Sequence, residues 1–321
     1  MVNPTFNGSA SPRLRTFALA VFLFTSLLLF SGGYTTTIGA GMIFPDWPLS
    51  NGSLNPDGWL TDEDMAAEHS HRLFGMVTGL LTLALAVWTW LAEPRKWVRR
   101  AATVMLALVI VQGVLGGLRV ILVNTDLAIV HGCTAQLYLC ALATMVFAHV
   151  PGLRLRNAGD SDTGSLRILT PVLTLLIFGQ LIIAAAMRHQ GAGLAIPTFP
   201  LSPSGSLFPD AWPAAVTIHF AHRAMALVIT VVAAVWAWKF FRRVPRSEPS
   251  WRLGVTFCAL LGVQVLLGAL TIWTVRNPWV TTFHVLTGAY LLALSWGLTL
   301  AVGRLPLWSL RRAPALEASP A

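Results

Sequence analysis

Charge is scarce in this chain. Of its 321 residues, 11% are Asp, Glu, Lys or Arg, against about 25% in a soluble domain. Acidic residues are scarcer than basic ones, 13 against 22, giving a formal net charge of +9. So little charge cannot cover a water-exposed surface, which excludes an ordinary soluble domain. The basic excess does not mark a nucleic-acid binder either, because it falls in short clusters between long apolar runs. Cysteine is nearly absent: Cys133, Cys140 and Cys258 all lie inside apolar runs. The outer loops therefore have no disulfide. With no Cys-x-x-Cys or Cys/His cluster, nothing suggests a structural zinc site. The three cysteines read as small apolar packing residues.

Hydrophobicity is abundant instead, at 55% of residues and a mean hydropathy of +0.67. The runs lie at 17–34, 71–91, 101–123, 127–150, 168–187, 214–238, 253–275 and 280–302. Each suits the roughly 20 residues a helix needs to cross the hydrocarbon. The first run follows Arg13 and Arg15 as a signal peptide would, but no small-x-small cleavage site follows, so it reads as a true span. Basic residues alternate in side. Those before the first run, between runs 2 and 3, 4 and 5, and 6 and 7, and after run 8 make up 17 of the 22. By the positive-inside rule that side, with both termini, is cytoplasmic. The opposite loops carry Asp46, Asp57, Asp62, Glu63, Asp64, Asp126 and Asp210.

The chain repeats itself. GAGMIFPDWPLS at 39–50 returns as GAGLAIPTFPLS at 191–202, and EHSHR at 68–72 as HFAHR at 219–223. QGVLG at 112–116 returns as QVLLG at 264–268, and HGCT at 131–134 as HVLT at 284–287. The offset stays at 151–153 positions. Each copy spans four helices, an even number, so both copies share one topology. The expected fold is therefore an all-α integral membrane protein. Its eight transmembrane helices form two repeated four-helix bundles, related by a pseudo-twofold axis along the membrane normal. The expected divisions are an N-terminal half at 1–150, a cytoplasmic linker at 151–167, a C-terminal half at 168–302 and a cytoplasmic tail at 303–321.

Ionisable residues inside a span are costly and mark function. His71, His131, His222 and His284 all lie just inside the outer ends of spans, one pair in each copy. Two histidines on facing helices of a bundle suit the two axial positions of a haem iron. The competing reading is a polar helix–helix contact, but a repeated pair at one depth weakens it. Glu68, three residues before His71, reads either as a helix cap or as a pocket residue. Arg72 and Arg223 suit haem propionates, or snorkel to lipid headgroups. His69, His149 and His189 have no repeat partner and read as interfacial. His219 takes the place that Glu68 holds in the first copy, as a pocket residue or a donor to one. The outer-loop aromatics Trp47, Trp59, Phe199, Phe208 and Trp212 read equally as a cofactor lid or an interfacial belt.

These motifs, GxGxxxPDWP at 39–48, ExxHR at 68–72, VHG at 130–132, HR at 222–223 and FH at 283–284, resemble the haem A synthase family across the whole transmembrane region. The resemblance implies an oxidoreductase that converts haem O to haem A for cytochrome oxidase. A porphyrin methyl becomes a formyl through successive hydroxylations. It implies haem b between His222 and His284, relaying electrons. It places substrate haem O at His71 and His131, with Glu68 beside it as a catalytic residue. It further implies the plasma membrane of a prokaryote, with haem O synthase and cytochrome oxidase subunits as partners and room for a homo-oligomer. The chain departs from some members in lacking a cysteine pair in the first outer loop, where Ser50 stands. The alternatives are a bis-histidine cytochrome b exchanging electrons with quinol, whose haems would sit at two depths, and a transporter, which would need broken helices or midplane charge.

Overall fold

A computed structural model describes residues 11–151, 153 and 164–302. They form α1 (Pro12–Ile38), α2 (Glu63–Ala92), α3 (Lys96–Ile121), α4 (Thr125–Phe147), α5 (Gly164–His189), α6 (Ala214–Arg243), α7 (Pro249–Trp273) and α8 (Pro278–Val302), with a short 3-10 turn at Ala192–Leu194. All eight helices are long and apolar enough to cross a bilayer. Most begin or end beyond the apolar runs, because hydropathy marks the lipid-crossing part and capping sets the true ends. Asp62 caps α2 by accepting from Met65 N–H at 2.8 Å, a full two turns before the apolar run begins. Ser11 and Asn124 cap α1 and α4 in the same way. The end of the expected linker is helical from Gly164 onward. Residues 154–163 of the linker and the tail at 303–321 lie outside the described residues.

Each half closes on itself. α1 packs on α2, α2 on α3, α3 on α4 and α4 back on α1, and α5 to α8 close the same way. The seam between halves joins α8 to α1 and α4, and α4 to α5. Each half has its own core. Leu14, Leu85, Met105 and Leu142 lie in the first, and Trp236, Phe240 and Phe257 in the second. A third cluster fills the seam, where Leu139 and Ala143 of α4 meet Ala289 and Ala293 of α8. Trp296 Nε1 donates across the seam to Thr144 Oγ1 at 2.8 Å. In α8, 67% of the apolar stretch is buried, against 17–44% in the other helices. Elsewhere large apolar side chains such as Leu23, Leu80, Val104 and Leu227 point outward. In water such surface would aggregate; in a bilayer it meets lipid.

Candidate functional site

The four histidines sit one turn or more inside the N-terminal ends of α2, α4, α6 and α8. His222 and His284 face each other with ring centroids 6.4 Å apart and planes at 67°. Two metal–imidazole bonds of about 2 Å each, plus the half-widths of two rings, come to about 6 Å. One iron between the two rings therefore fits the observed gap. Among the described residues this is the one histidine–histidine ring contact. His71 and His131 are close enough to interact electrostatically, and among the described residues no ring contact joins them.

Glycines seat three of these rings. A Cβ on Gly32 would stand 2.6 Å from His71 Cε1, one on Gly116 3.2 Å from His131 Cε1, and one on Gly268 3.1 Å from His284 Cε1. Gly116 and Gly268 are repeat partners. Glutamines line the same space. Gln180 Nε2 donates to the His222 carbonyl at 2.9 Å and approaches Nδ1 at 3.0 Å. Gln264 Nε2 lies 3.4 Å from His284 Nε2. Oε1 of Gln180 and Gln264 and Nε2 of Gln112 are sealed from solvent without a partner. Native proteins leave few such atoms. Their gathering around the histidine pairs fits a site built for a polar-edged, iron-bearing group.

Above each pair an outer loop is clamped by the motif around the ligand helix. Glu68 is buried at 2% exposure. Its Oε2 accepts from Ile43 N–H at 2.5 Å and Phe44 N–H at 3.0 Å, and its Oε1 from Arg72 at 2.7 Å. Asp62 caps α2, so the cap reading of Glu68 does not hold. Arg72 donates to the carbonyls of Phe44, Asp46 and Leu49, and its cation lies over the Phe44 ring. The second half repeats these bonds 151 positions on in the helix and 152 in the loop. His219 Nδ1 accepts from Ile196 N–H at 3.1 Å, and Arg223 donates to the carbonyls of Ile196 and Thr198. With Nδ1 accepting, Nε2 of neutral His219 carries the proton. Its 3.3 Å approach to Arg223 Nε is then a contact between two donors. His219 thus does for its loop, with one acceptor, what Glu68 does with two oxygens.

The loops lie back on the bundle ends. The Trp47 ring rests on Gly117 of α3, Trp59 packs on His69 with centroids 4.7 Å apart, and Trp212 on Phe220 at 4.9 Å. Trp47, Phe208 and Trp212 remain 41%, 61% and 50% exposed, so each packs on its own half and still presents a face outward. In the loop, burial works against the Asp46 carboxylate, but N–H donation from Gly52 and Asn51, both at 2.7 Å, holds its pKa below the usual range.

The structure brings Glu68, Arg72, His71 and His131 together in one half and Arg223, His222 and His284 in the other. His69 and His149, expected at the interface, are instead buried. His69 bonds Ser50 Oγ and the Leu54 carbonyl, and His149 bonds Glu93 and the Met145 carbonyl. Sequence reasoning missed Arg119, Arg188 and Arg276, which also stand at the outer ends. The signal was present: with 17 basic residues in the segments on one side of the helices, the remaining five of 22 are these three with Arg72 and Arg223.

Comparison with known proteins identifies the family. The COX15-CtaA family model, described as "Cytochrome oxidase assembly protein", matches residues 3–142 and 61–296. The Heme A synthase of Geobacillus kaustophilus is 29% identical over 281 residues, covering 84% of this chain and 86% of its own length. That of Symbiobacterium thermophilum is 29% identical over 303 residues, covering 91% and 97%. That of Listeria welshimeri is 24% identical over 299 residues, covering 91% and 96%. The chain belongs to the COX15-CtaA family of cytochrome oxidase assembly proteins.

Proposed function

We propose that this chain is a membrane oxidoreductase that converts haem O to haem A for cytochrome oxidase. The observation that carries the reading is the pair of unlike histidine sites. One is spaced for a single iron at 6.4 Å between rings; the other has the Glu68 carboxylate on the same helix, one turn from His71. The second half, 168–302, holds haem b through His222 and His284, and the first half, 1–150, receives haem O at His71 and His131. Haem b, when bound, supplies one-electron chemistry beside the substrate.

The chain's own residues do the rest. His71, turned by Gly32, and His131, turned by Gly116, orient the substrate iron. The loop held by Glu68 and Arg72 closes over that site and excludes water, which strengthens every charge interaction inside it. Glu68 is the one carboxylate among the residues gathered at this site. It stabilises positive charge developing on the porphyrin edge during methyl oxidation. Its three donors favour that electrostatic role over free proton shuttling. Arg223 uses Nη2 on the loop and keeps Nη1 for a propionate. All four Nη protons of Arg72 go to its loop and Glu68, so it acts mainly by positioning. The termini face the cytoplasm, which puts both sites near the outer surface.

Haems extracted from membranes with and without this chain test the reading. Haem A appearing from haem O only when the chain is present supports it. Low-spin haem without haem A would instead support electron transfer alone.

A further inference from the structure

Three arginines stand near the histidine pairs, Arg119 by the first and Arg188, with Arg276 beside it, by the second. Arg119, in the last turn of α3, donates to the Gly41 carbonyl at 2.8 Å and lies within electrostatic reach of His71, His131 and His189. Arg188, in the last turn of α5, crosses the seam. Its Nη2 donates to the Gly33 carbonyl at 2.9 Å and to Thr37 Oγ1 at 3.0 Å, both on α1. It lies within electrostatic reach of His284 and Arg276. Arg276 follows α7, with its Cδ 3.6 Å from where a Cβ on Gly193 would stand. Gly193 is the repeat partner of Gly41, where Arg119 sits, yet the repeat partner of Arg119 is Thr271. The same glycine seat in each half is therefore supplied with a guanidinium from an unrelated position.

These cations lack a counter-ion. Among the described residues none of the three has a carboxylate within ion-pair distance. Glu68 is in electrostatic reach of Arg119, but both its oxygens are taken by Arg72 and the loop. A cation in a last helical turn gains about 0.3–1 kcal/mol from the helix dipole. That accounts for one arginine at one helix end. It does not account for several like charges held at half-buried positions, where their repulsion is screened less than in bulk water.

We propose that Arg119, Arg188 and Arg276 form one carboxylate-binding site shared by the two haems, holding their propionates between the two histidine pairs. Arg188 is the link. It is fixed to α1 of the first half and faces the haem of the second, so filling one site changes the field at the other. The inference rests on the haem reading above. The guanidinium fork matches a carboxylate with two parallel hydrogen bonds.

The test reconstitutes the haem-free full-length protein with haem and with haem dimethyl ester, whose propionates carry no charge, and follows the low-spin absorbance. The wild type should bind the ester about ten- to a hundredfold more weakly, as expected for lost charge-assisted bonds. Arg188→Gln should weaken binding of native haem by a similar factor, weaken the ester little further, and move the midpoint potential of the bound haem downward. Equal binding of both haems by the wild type overturns the shared site and needs no variant to fold. A loss in Arg188→Gln that is the same for both haems also overturns it, and points to a lipid phosphate as the anion. A wild type that takes up neither haem sinks the haem reading, and this site with it.

Discussion

Replacing Glu68 with Ala removes one side chain that serves three donors. Phe44 is fully buried, so its N–H, 3.0 Å from Oε2, is left dry, and the Ile43 N–H loses its acceptor as well. Arg72 loses its anion in a salt bridge whose side chains are 10% and 3% exposed. An orphaned buried donor costs about 1–3 kcal/mol, and removing one partner of a buried ion pair about 3–5 kcal/mol. The terms share one carboxylate and do not add, so about 3 kcal/mol is a working figure for the loosened loop. At about 1.4 kcal/mol per tenfold, the loop-opening constant rises on the order of 100-fold. Hydrogen exchange across residues 41–50 reads that change directly. Haem A formation should fall with it, while haem b stays bound, because the second loop has its own anchor in His219. Glu68→His copies the second half and keeps one acceptor, so its exchange should fall between the two. Unchanged exchange with lost haem A would refute the anchoring argument and leave Glu68 a purely chemical role. Unchanged exchange with normal haem A would remove both roles.

Four further outcomes are expected. His222→Ala and His284→Ala should each abolish the low-spin haem spectrum, whereas His219→Ala should keep it and loosen the loop at 191–213; the reverse pattern would reassign the ligand on α6. Gly268→Ala should disturb the same spectrum, because its Cβ would stand 3.1 Å from His284 Cε1; Gly262→Ala, with nothing within 4 Å of its Cβ, is the neutral control. The folded-state pKa of Asp46 is depressed. The turn it holds is therefore fully stabilised above the unfolded value of about 3.9 and weakens as pH falls through the lower folded value. Exchange at Asn51 and Gly52, corrected for pH, should be flat from about pH 6 to 4 and rise below that. Cysteines placed at Asp57 and Lys96 should react with a membrane-impermeant label from outside and inside respectively, and the opposite pattern rejects the orientation.

The helices and the pairing of histidines were legible because both signals are local. A span shows as about 20 apolar residues, and an imidazole within one stands out against them. Glu68 was read as cap or pocket, and Arg72 and Arg223 as propionate or headgroup partners, because their actual partners are backbone groups of a loop some 25 positions away. Backbone N–H and C=O are common to nearly every residue, so such a contact leaves no residue-type signature. The same applies to His69, which holds the Leu54 carbonyl. His219 looked anomalous opposite Glu68 until the Ile196 N–H showed that both residues do one job. Arg119 and Arg276 could not be paired by the repeat, since they reach equivalent glycines from inequivalent positions.

α8 is the last of the eight helices to leave the ribosome, yet it is the one on which both halves close. Until it arrives, Leu139 and Ala143 of α4 lack Ala289 and Ala293 against them, and α1 lacks its main partner from the second half among the described helices. Before α8 is in place the seam rests on the contact of α4 with α5, and α8 completes it. The helix that completes it also carries His284, so a chain that stalls before α8 lacks both its finished joint and the partner of His222. On the haem reading proposed above, assembly and loading of that site are tied to one late event.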